Sequence, residues 1–203
     1  MLDVLQIPPG QLFALLAAVS FAAGLNLYAT VSVLGLLARF GHLPLPPGLQ
    51  LLQSWPVMAA SGALFVVELF ADKIPAFDLI WNALHTFVRV PVAGLLAYEA
   101  TRQLSPEQQL LATLLGAAVA LAAHGGKTAV RAAVTPSPEP VSNVALSFGE
   151  DVLAVGLTWL ATRHPYVAGV LAIIFVMIVV LLIRWVIRAL AVLFRGAEYQ
   201  LAR

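Results

Sequence analysis

The chain has 203 residues, of which 61% are hydrophobic and only 10% are charged. A soluble domain carries roughly a quarter charged residues, so the composition predicts an all-α integral membrane protein built as one transmembrane domain. The net charge of +1 provides no dense basic face and argues against a nucleic-acid partner. The absence of cysteine excludes disulfides and thiolate metal sites.

About six stretches approach the roughly 20 apolar residues that a helix needs to cross the hydrocarbon core. They cover residues 11–37, 55–70, 76–98, 109–133, 141–162 and 165–193. The first is interrupted at Gly24-Leu25-Asn26, the second is short, and the fourth is broken at His124-Gly125-Gly126. Six spans would place both termini on one side of the membrane. Basic residues are more numerous on that side, so the positive-inside rule predicts that both termini are cytoplasmic.

Two segments, 55–98 and 109–162, are candidate repeat units. The pattern that begins at Pro75 recurs without gaps at an offset of 61 residues, with Arg89 aligned on Glu150. The opposite charges would suit two facing helices that form an ion pair. Repeated units around a midplane site are typical of transporters. Chance similarity between Ala-, Leu- and Val-rich helices is the alternative explanation.

A polar stripe runs along the third predicted span. Asp78, Asn82, His85 and Arg89 are spaced i, i+4, i+7 and i+11, which aligns them on one face of a helix. Charges inside a membrane are costly and usually face a bundle interior, a partner or a water-filled path. The stripe therefore predicts a conduit or binding site, and the alternative role for Asp78 is a helix cap.

Carboxylates also precede the stripe. Glu68 and Asp72 are an i, i+4 pair beside Lys73 and the helix break at Pro75. Two buried carboxylates this close together resist being ionised at the same time, so one of them is a candidate proton carrier.

A basic group follows in the fourth span. His124, Lys127 and Arg131 share one helix face at i, i+3 and i+7, next to the Gly125-Gly126 break. The glycines permit an unwound segment that lines a cavity. The GxxxxGK[ST] pattern of a nucleotide-binding loop is missing. The alternative is an interfacial loop whose basic side chains reach the lipid headgroups.

The fifth span carries a third polar group. Asn143, Ser147 and Glu150 lie on one face at i, i+4 and i+7, and Asp151 follows directly. Successive residues of a helix diverge by about 100°, so Asp151 addresses a different neighbour from Glu150. A structural role as partners of the basic residues is the alternative to a functional one.

Enzyme chemistry finds little support. His85, His124, Glu150 and Asp151 could in principle bind a hard metal, but no HExxH or comparable motif is present. Serine-hydrolase elbows are absent too. We predict no metal, no cofactor and no enzymatic activity.

Several of these segments together resemble one family. They are residues 68–75 (ELFADKIP) with Asp78, residues 86–89 (TFVR) with Pro91, residues 124–127 (HGGK) with Arg131, and residues 143–151. They are similar to bacterial membrane proteins labelled domain of unknown function 4126, over roughly residues 21–155. The resemblance implies a fold and a bacterial inner-membrane location, and it carries no catalytic role.

The polar residues predict a small secondary transporter that lies in the lipid bilayer, with homodimerisation as an added expectation. It would carry an anionic solute or lipid headgroup, with a cation fitting almost as well. The expected substrate-binding residues are Asn26, Lys73, Asp78, Asn82, His85, Arg89, His124, Lys127, Arg131, Asn143 and Ser147. Proton or cation coupling is assigned to Glu68, Asp72, Glu150 and Asp151. The alternative is an assembly subunit whose buried charge pairs fix helix packing.

Overall fold

The computed structural model of the chain describes residues 7–134 and 140–201, where every regular element is helical. The α-helices are α1 (Pro9–Leu25), α2 (Leu27–Phe40), α3 (Trp55–Ala71), α4 (Pro75–Ala100), α5 (Pro106–Val134), α6 (Pro140–Arg163) and α7 (Pro165–Leu201), and a 3₁₀ helix covers Pro47–Gln53. The predicted all-α class is confirmed. Prolines begin or adjoin the start of most of these helices, where a missing N–H costs nothing because it would be unpaired anyway.

Within these described ranges, four helices are long and apolar enough to cross a membrane. Their crossing segments are Ile80–Ala100, Pro106–Arg131, Val144–Arg163 and Pro165–Trp185. The 3₁₀ helix and α3 meet at an angle of 66°, and this bent pair makes a fifth span if it crosses the membrane as one unit. Two shorter apolar helices, α1 and α2, accompany them. The chain is therefore a multi-pass membrane protein with four or five candidate crossing segments, close to the expected number of about six.

Helix α1 runs parallel to α7. Near its start Gly10 lies against Tyr166, and one turn later Ala14 packs against Gly169. Further along, the rings of Phe21 and Phe175 stack with their centroids 5.5 Å apart. Both helices thus begin at the same end of the bundle and advance together.

Helix α2 runs antiparallel to α3. Gly35, late in α2, lies against Met58 at the start of α3, whereas the earlier Ser32 donates a hydrogen bond of 2.9 Å to the later Ser61. Successive helices from α3 to α7 reverse direction, so α3 points the same way as α7 and hence as α1. Since α2 opposes α3, it also opposes α1. The two helices form a hairpin that enters and leaves at one end of the bundle.

The reversal occurs at Asn26, whose extended backbone (φ −145°, ψ 101°) cannot continue a helix. We expected residues 11–37 to form one interrupted span. Six spans would then have placed both termini of the chain on one side of the membrane. The structure instead folds this stretch back on itself. The start of α1 lies beside the start of α7, and the described chain finishes at the far end of α7, a helix of 37 residues. Which side of the membrane each end faces stays a prediction.

The second half of α1, residues 18–25, is buried throughout, and small residues let its neighbours approach closely. A Cβ added to Gly24 would lie 2.7 Å from the Ala123 Cβ of α5 and would press against the Ala120 carbonyl. By contrast, a Cβ added to Gly156 of α6 meets no atom within 4 Å.

Gly24→Ala should therefore destabilise the protein by about 1–3 kcal/mol, because the added methyl overpacks the α1–α5 contact. Gly156→Ala is the matched control and should stabilise α6 by about 0.5–1 kcal/mol, since alanine is the better helix former. Unfolding by a denaturing detergent in mixed micelles measures both free energies. Equal effects of the two substitutions would contradict the close approach of α1 and α5.

Candidate functional site

Seven charged side chains meet inside the helix bundle. They are Glu68, Asp72, Arg89, Lys127, Arg131, Glu150 and Asp151, and we call them the buried charge network. They come from the end of α3, the middle of α4, the later part of α5 and the first half of α6. Arg89 and Asp151 each lie near the centre of a membrane-crossing segment. None of the side chains in the ion pairs is more than 12% exposed.

Arg89 is fully buried, and its guanidinium donates to Glu68 Oε1 and, over 3.0 Å, to His124 Nδ1. A guanidinium only donates hydrogen bonds, so Nδ1 of His124 must accept and the ring proton must sit on Nε2. That nitrogen faces the Asn82 carbonyl oxygen at 3.1 Å and Thr86 Oγ at 2.7 Å. The neutral His124 thereby holds Arg89 in place, and the polar stripe of α4 is brought against α5.

Lys127 stands at the centre of the network, with its ammonium surrounded by oxygens. Nζ lies 2.7 Å from Asp72 Oδ2, 3.6 Å from Glu68 Oε1 and 3.4 Å from Glu150 Oε2. A fourth oxygen, the Leu25 carbonyl at the end of α1, accepts a hydrogen bond from Nζ over 3.3 Å.

That carbonyl is available because of Asn26. In a continuous helix the Leu25 oxygen would accept from the amide of Ala29. Here the Asn26 side chain takes the Ala29 N–H at 2.9 Å and so caps α2. One asparagine thus reverses the chain, begins the second helix and frees a backbone oxygen for the ammonium of Lys127.

Arg131 closes the far side of the network. Its guanidinium binds both Glu150 oxygens at 2.6–3.3 Å and also donates to the Asp72 backbone carbonyl at 3.0 Å. The repeat pattern had suggested that Arg89 pairs with Glu150. That suggestion is wrong, because α3 supplies Glu68 to Arg89 and the later turn of α5 supplies Arg131 to Glu150.

Asp151 differs from the other carboxylates because its partner is neutral. The Asn26 Nδ2 donates to Asp151 Oδ1 over 2.8 Å. Among the described residues no basic side chain forms an ion pair with Asp151, although the residue is only 6% exposed. The adjacent turn carries Ser147, which is fully buried.

Asn26→Ala should lower the free energy of unfolding by about 2–4 kcal/mol, because it removes both a helix cap and the hydrogen bond to a buried carboxylate. Ser105→Ala is the control: its hydroxyl accepts from the Gln108 amide at the exposed start of α5. That cap alone should be worth about 0.5–1 kcal/mol. Unfolding by a denaturing detergent measures the free energy of both variants. Equal losses in Asn26→Ala and Ser105→Ala would show that the hydrogen bond between Asn26 and Asp151 contributes nothing to stability.

Four predicted site residues lie elsewhere or outside what is described. His85 is held by Trp81, whose carbonyl accepts from Nδ1 at 2.7 Å, and by the Tyr28 hydroxyl at 2.9 Å from Nε2. The Trp81 and His85 rings stack at 4.1 Å. Lys73 lies in the turn after α3 and donates to the Leu69 carbonyl of that helix, and within the described residues it forms no ion pair with the network. The side chains of Asp78 and Asn143 lie outside the described residues.

The remaining predicted residues come together. Asn26, Asn82, His124 and Ser147 join or adjoin the buried charge network, whose seven members were all predicted. Thr86 also contacts the site and was not among the predicted residues, although its i, i+4 spacing from Asn82 indicates that both share one helix face. The Leu25 carbonyl was not predicted either, and no side-chain pattern could have revealed a backbone group.

Several polar atoms in this site lack a partner. Among the described residues, the buried and unpaired side-chain atoms near the network are Glu68 Oε2, Asp72 Oδ1, Arg89 Nε, Ser147 Oγ and Asp151 Oδ2. Three of these are carboxylate oxygens. Counted over the described side chains, four carboxylates face three bases, so the network as defined carries one surplus negative charge when all its groups are ionised. It is chemically suited to take up a proton or a monovalent cation.

No group of three or more His, Asp or Glu side chains within the described ranges is placed to hold a metal ion. The comparisons with known proteins give one match. The family model named Domain of unknown function (DUF4126) matches residues 13–185. No curated protein and no solved structure matches the chain. Because the match covers most of its length, the chain belongs to the DUF4126 family of domains of unknown function.

Proposed function

We propose that the protein is a small secondary carrier in which the buried charge network binds a proton or a monovalent cation. Broken helices whose ends and freed carbonyls face a buried ion site are typical of transporters. The hairpin tip at Asn26 has this form. It places the end of α1 and the start of α2 against carboxylates deep in the bundle.

The observation that carries the proposal is Asp151. A carboxylate near the centre of a crossing segment, buried and without a basic partner, is costly if it is only structural. Its Oδ2 is unpaired, and its other oxygen is held by the residue at which the chain reverses. A proton or cation would supply the missing partner. Its binding would also change the hydrogen bond between Asp151 and Asn26, and so would affect the α1–α2 hairpin.

The geometry favours a cation over the anionic solute or lipid headgroup expected from composition. Arg89, Lys127 and Arg131 all already donate to carboxylates. An anion would have to displace one of those carboxylates and leave it buried without a partner, which costs several kcal/mol, about 3–5 for a broken buried pair. A cation would instead meet oxygens that lack partners.

The test is charge movement in proteoliposomes adsorbed on a solid-supported membrane. Rapid jumps of ammonium, methylammonium, sodium or potassium should each be compared with jumps of phosphate or acetate, at two pH values. We expect a transient current from at least one cation that changes with pH. Currents from phosphate or acetate jumps alone would show that the substrate is an anion. The absence of current after every jump would rule out the carrier function.

A second candidate function is assembly. It is favoured by the observation that the ion pairs join α3, α4, α5 and α6, so they could fix helix register against a partner or a second copy. Swapping the charges of Glu68 and Arg89 together separates the two roles. A register role predicts that the double swap restores folding and function, whereas a carrier role predicts a folded and inactive protein.

For location, we propose a bacterial inner membrane with the C-terminal end of α7 in the cytoplasm. The positive-inside rule supports this orientation. At that end the described chain carries Lys73, Arg184, Arg188 and Arg195, against Arg39, Arg102 and Arg163 at the other. Because the chain lacks cysteine, single cysteines at Ser105 and Lys73 can be labelled separately with an impermeant thiol reagent. If the impermeant reagent labelled Lys73→Cys from outside the cell, the proposed orientation would be wrong and the C-terminal end of α7 would face outward.

A further inference from the structure

We propose that the oxygens around Lys127 Nζ form a binding site for ammonium-type monovalent cations, and that Lys127 is its tethered occupant. Three carboxylates and one backbone carbonyl surround the ammonium at 2.7–3.6 Å. We call these four groups, from Leu25, Glu68, Asp72 and Glu150, the Lys127 cradle. The inference rests on the proposed carrier function for its purpose, and it names the chemical class of the coupled ion.

The backbone contribution marks the cradle as more than an ion-pair cluster. The last carbonyls of a helix carry the negative end of its dipole, about half an elementary charge. Helix α1 ends at Leu25, and the Asn26 cap diverts the amide that would otherwise neutralise that oxygen. A freed carbonyl beside carboxylates is a typical ligand set for a monovalent cation in transporters with broken helices.

Two of the carboxylates around Lys127 keep one oxygen each that Lys127 does not contact by a hydrogen bond. Glu68 and Asp72 are at most 1% exposed, and each keeps one oxygen without a hydrogen-bond partner among the described residues. A lysine carries a compact point charge on a flexible stem, so its ammonium can leave a site that a free cation then enters. Exchange between the tethered and the free cation would couple ion binding to the α1–α2 hairpin through Leu25.

Chemical rescue tests this directly. In Lys127→Ala the cradle loses its occupant and the network gains a second surplus negative charge. We expect ammonium and methylammonium chloride to raise the melting temperature of this variant above its value in choline chloride of equal ionic strength. At about five times the dissociation constant, linkage predicts a rise of about 2–4 °C for a chain of this size.

Lys73→Ala is the matched control, because Lys73 is the only other lysine in the chain and its ammonium donates to the Leu69 carbonyl rather than to a cradle oxygen. Neither it nor the wild type should show an ammonium-specific rise of that size. If Lys127→Ala is too unstable to purify, the double variant Lys127→Ala with Glu150→Gln restores the original charge balance. It keeps the Leu25, Glu68 and Asp72 oxygens and should show the same order of salts.

Equal melting temperatures in all salts would overturn the proposal, and so would a failure of both variants to fold even in ammonium. The result is independent of the carrier function. Rescue by ammonium without any current from the wild type would leave a cation site in a protein that is not a carrier. Cation currents without rescue would leave a carrier whose ion binds elsewhere.

Discussion

Arg89→Gln should lower the free energy of unfolding by about 3–5 kcal/mol, because removal of one partner leaves the Glu68 carboxylate buried without its main counter-charge. Arg89 and Glu68 are both fully buried near the middle of the bundle. His124 would also lose the donor that faces its Nδ1. Lys127, 3.6 Å from Glu68, compensates only in part. Unfolding by a denaturing detergent in mixed micelles measures the loss.

Arg102→Gln provides the control for this prediction. Arg102 forms the same kind of ion pair with Glu99, but its side chain is 59% exposed. Exposed pairs contribute about 0–1 kcal/mol, so its loss should be barely measurable. Arg89→Met combined with Glu68→Leu should recover most of the stability, because well-packed apolar side chains often replace a buried pair without cost. If Arg89→Gln were no less stable than Arg102→Gln, the buried pair would not hold α3 against α4.

Asp151→Asn should reduce cation-driven currents at least tenfold, a change equivalent to about 1.4 kcal/mol, while the unfolding free energy stays equal or rises. Asparagine keeps the oxygen that accepts from Asn26 Nδ2 and removes a buried charge that no ion pair offsets. The two effects point in opposite directions. This combination distinguishes a carrier residue from a structural one, because loss of a structural charge would reduce stability and function together.

Glu107→Gln is the control, because it makes the same acid-to-amide change at an exposed position at the start of α5. It should leave the currents unchanged and lower the free energy of unfolding by about 0.3–1 kcal/mol at most, the usual contribution of an acid at the start of a helix. If Asp151→Asn kept full currents, Asp151 would not be the residue that binds the coupled cation. Glu68 and Asp72, which also keep unpaired oxygens, would then be the candidates. Severe destabilisation of Asp151→Asn would favour the assembly function instead.

The membership of the site could be predicted from the sequence because it follows from two local facts. A charge in a membrane-crossing helix must turn inward, and residues three or four apart share a helix face. Those facts were enough to select Glu68, Arg89, Lys127 and Asp151 before any fold was known. They were not enough for His85, which turns inward and is then held by Tyr28 and Trp81.

What the sequence determined by itself is the class of protein and the face of each helix, since hydropathy and helical period are local properties. Only the tertiary structure decided which acidic side chain pairs with which basic one, because the depth and rotation of each helix depend on its packing against all the others. It joined Arg89 to Glu68 rather than Glu150. It also made Asn26 a chain reversal, since a short interruption in an apolar stretch is compatible with either a kink or a hairpin, and only contacts with α3 and α7 distinguish them.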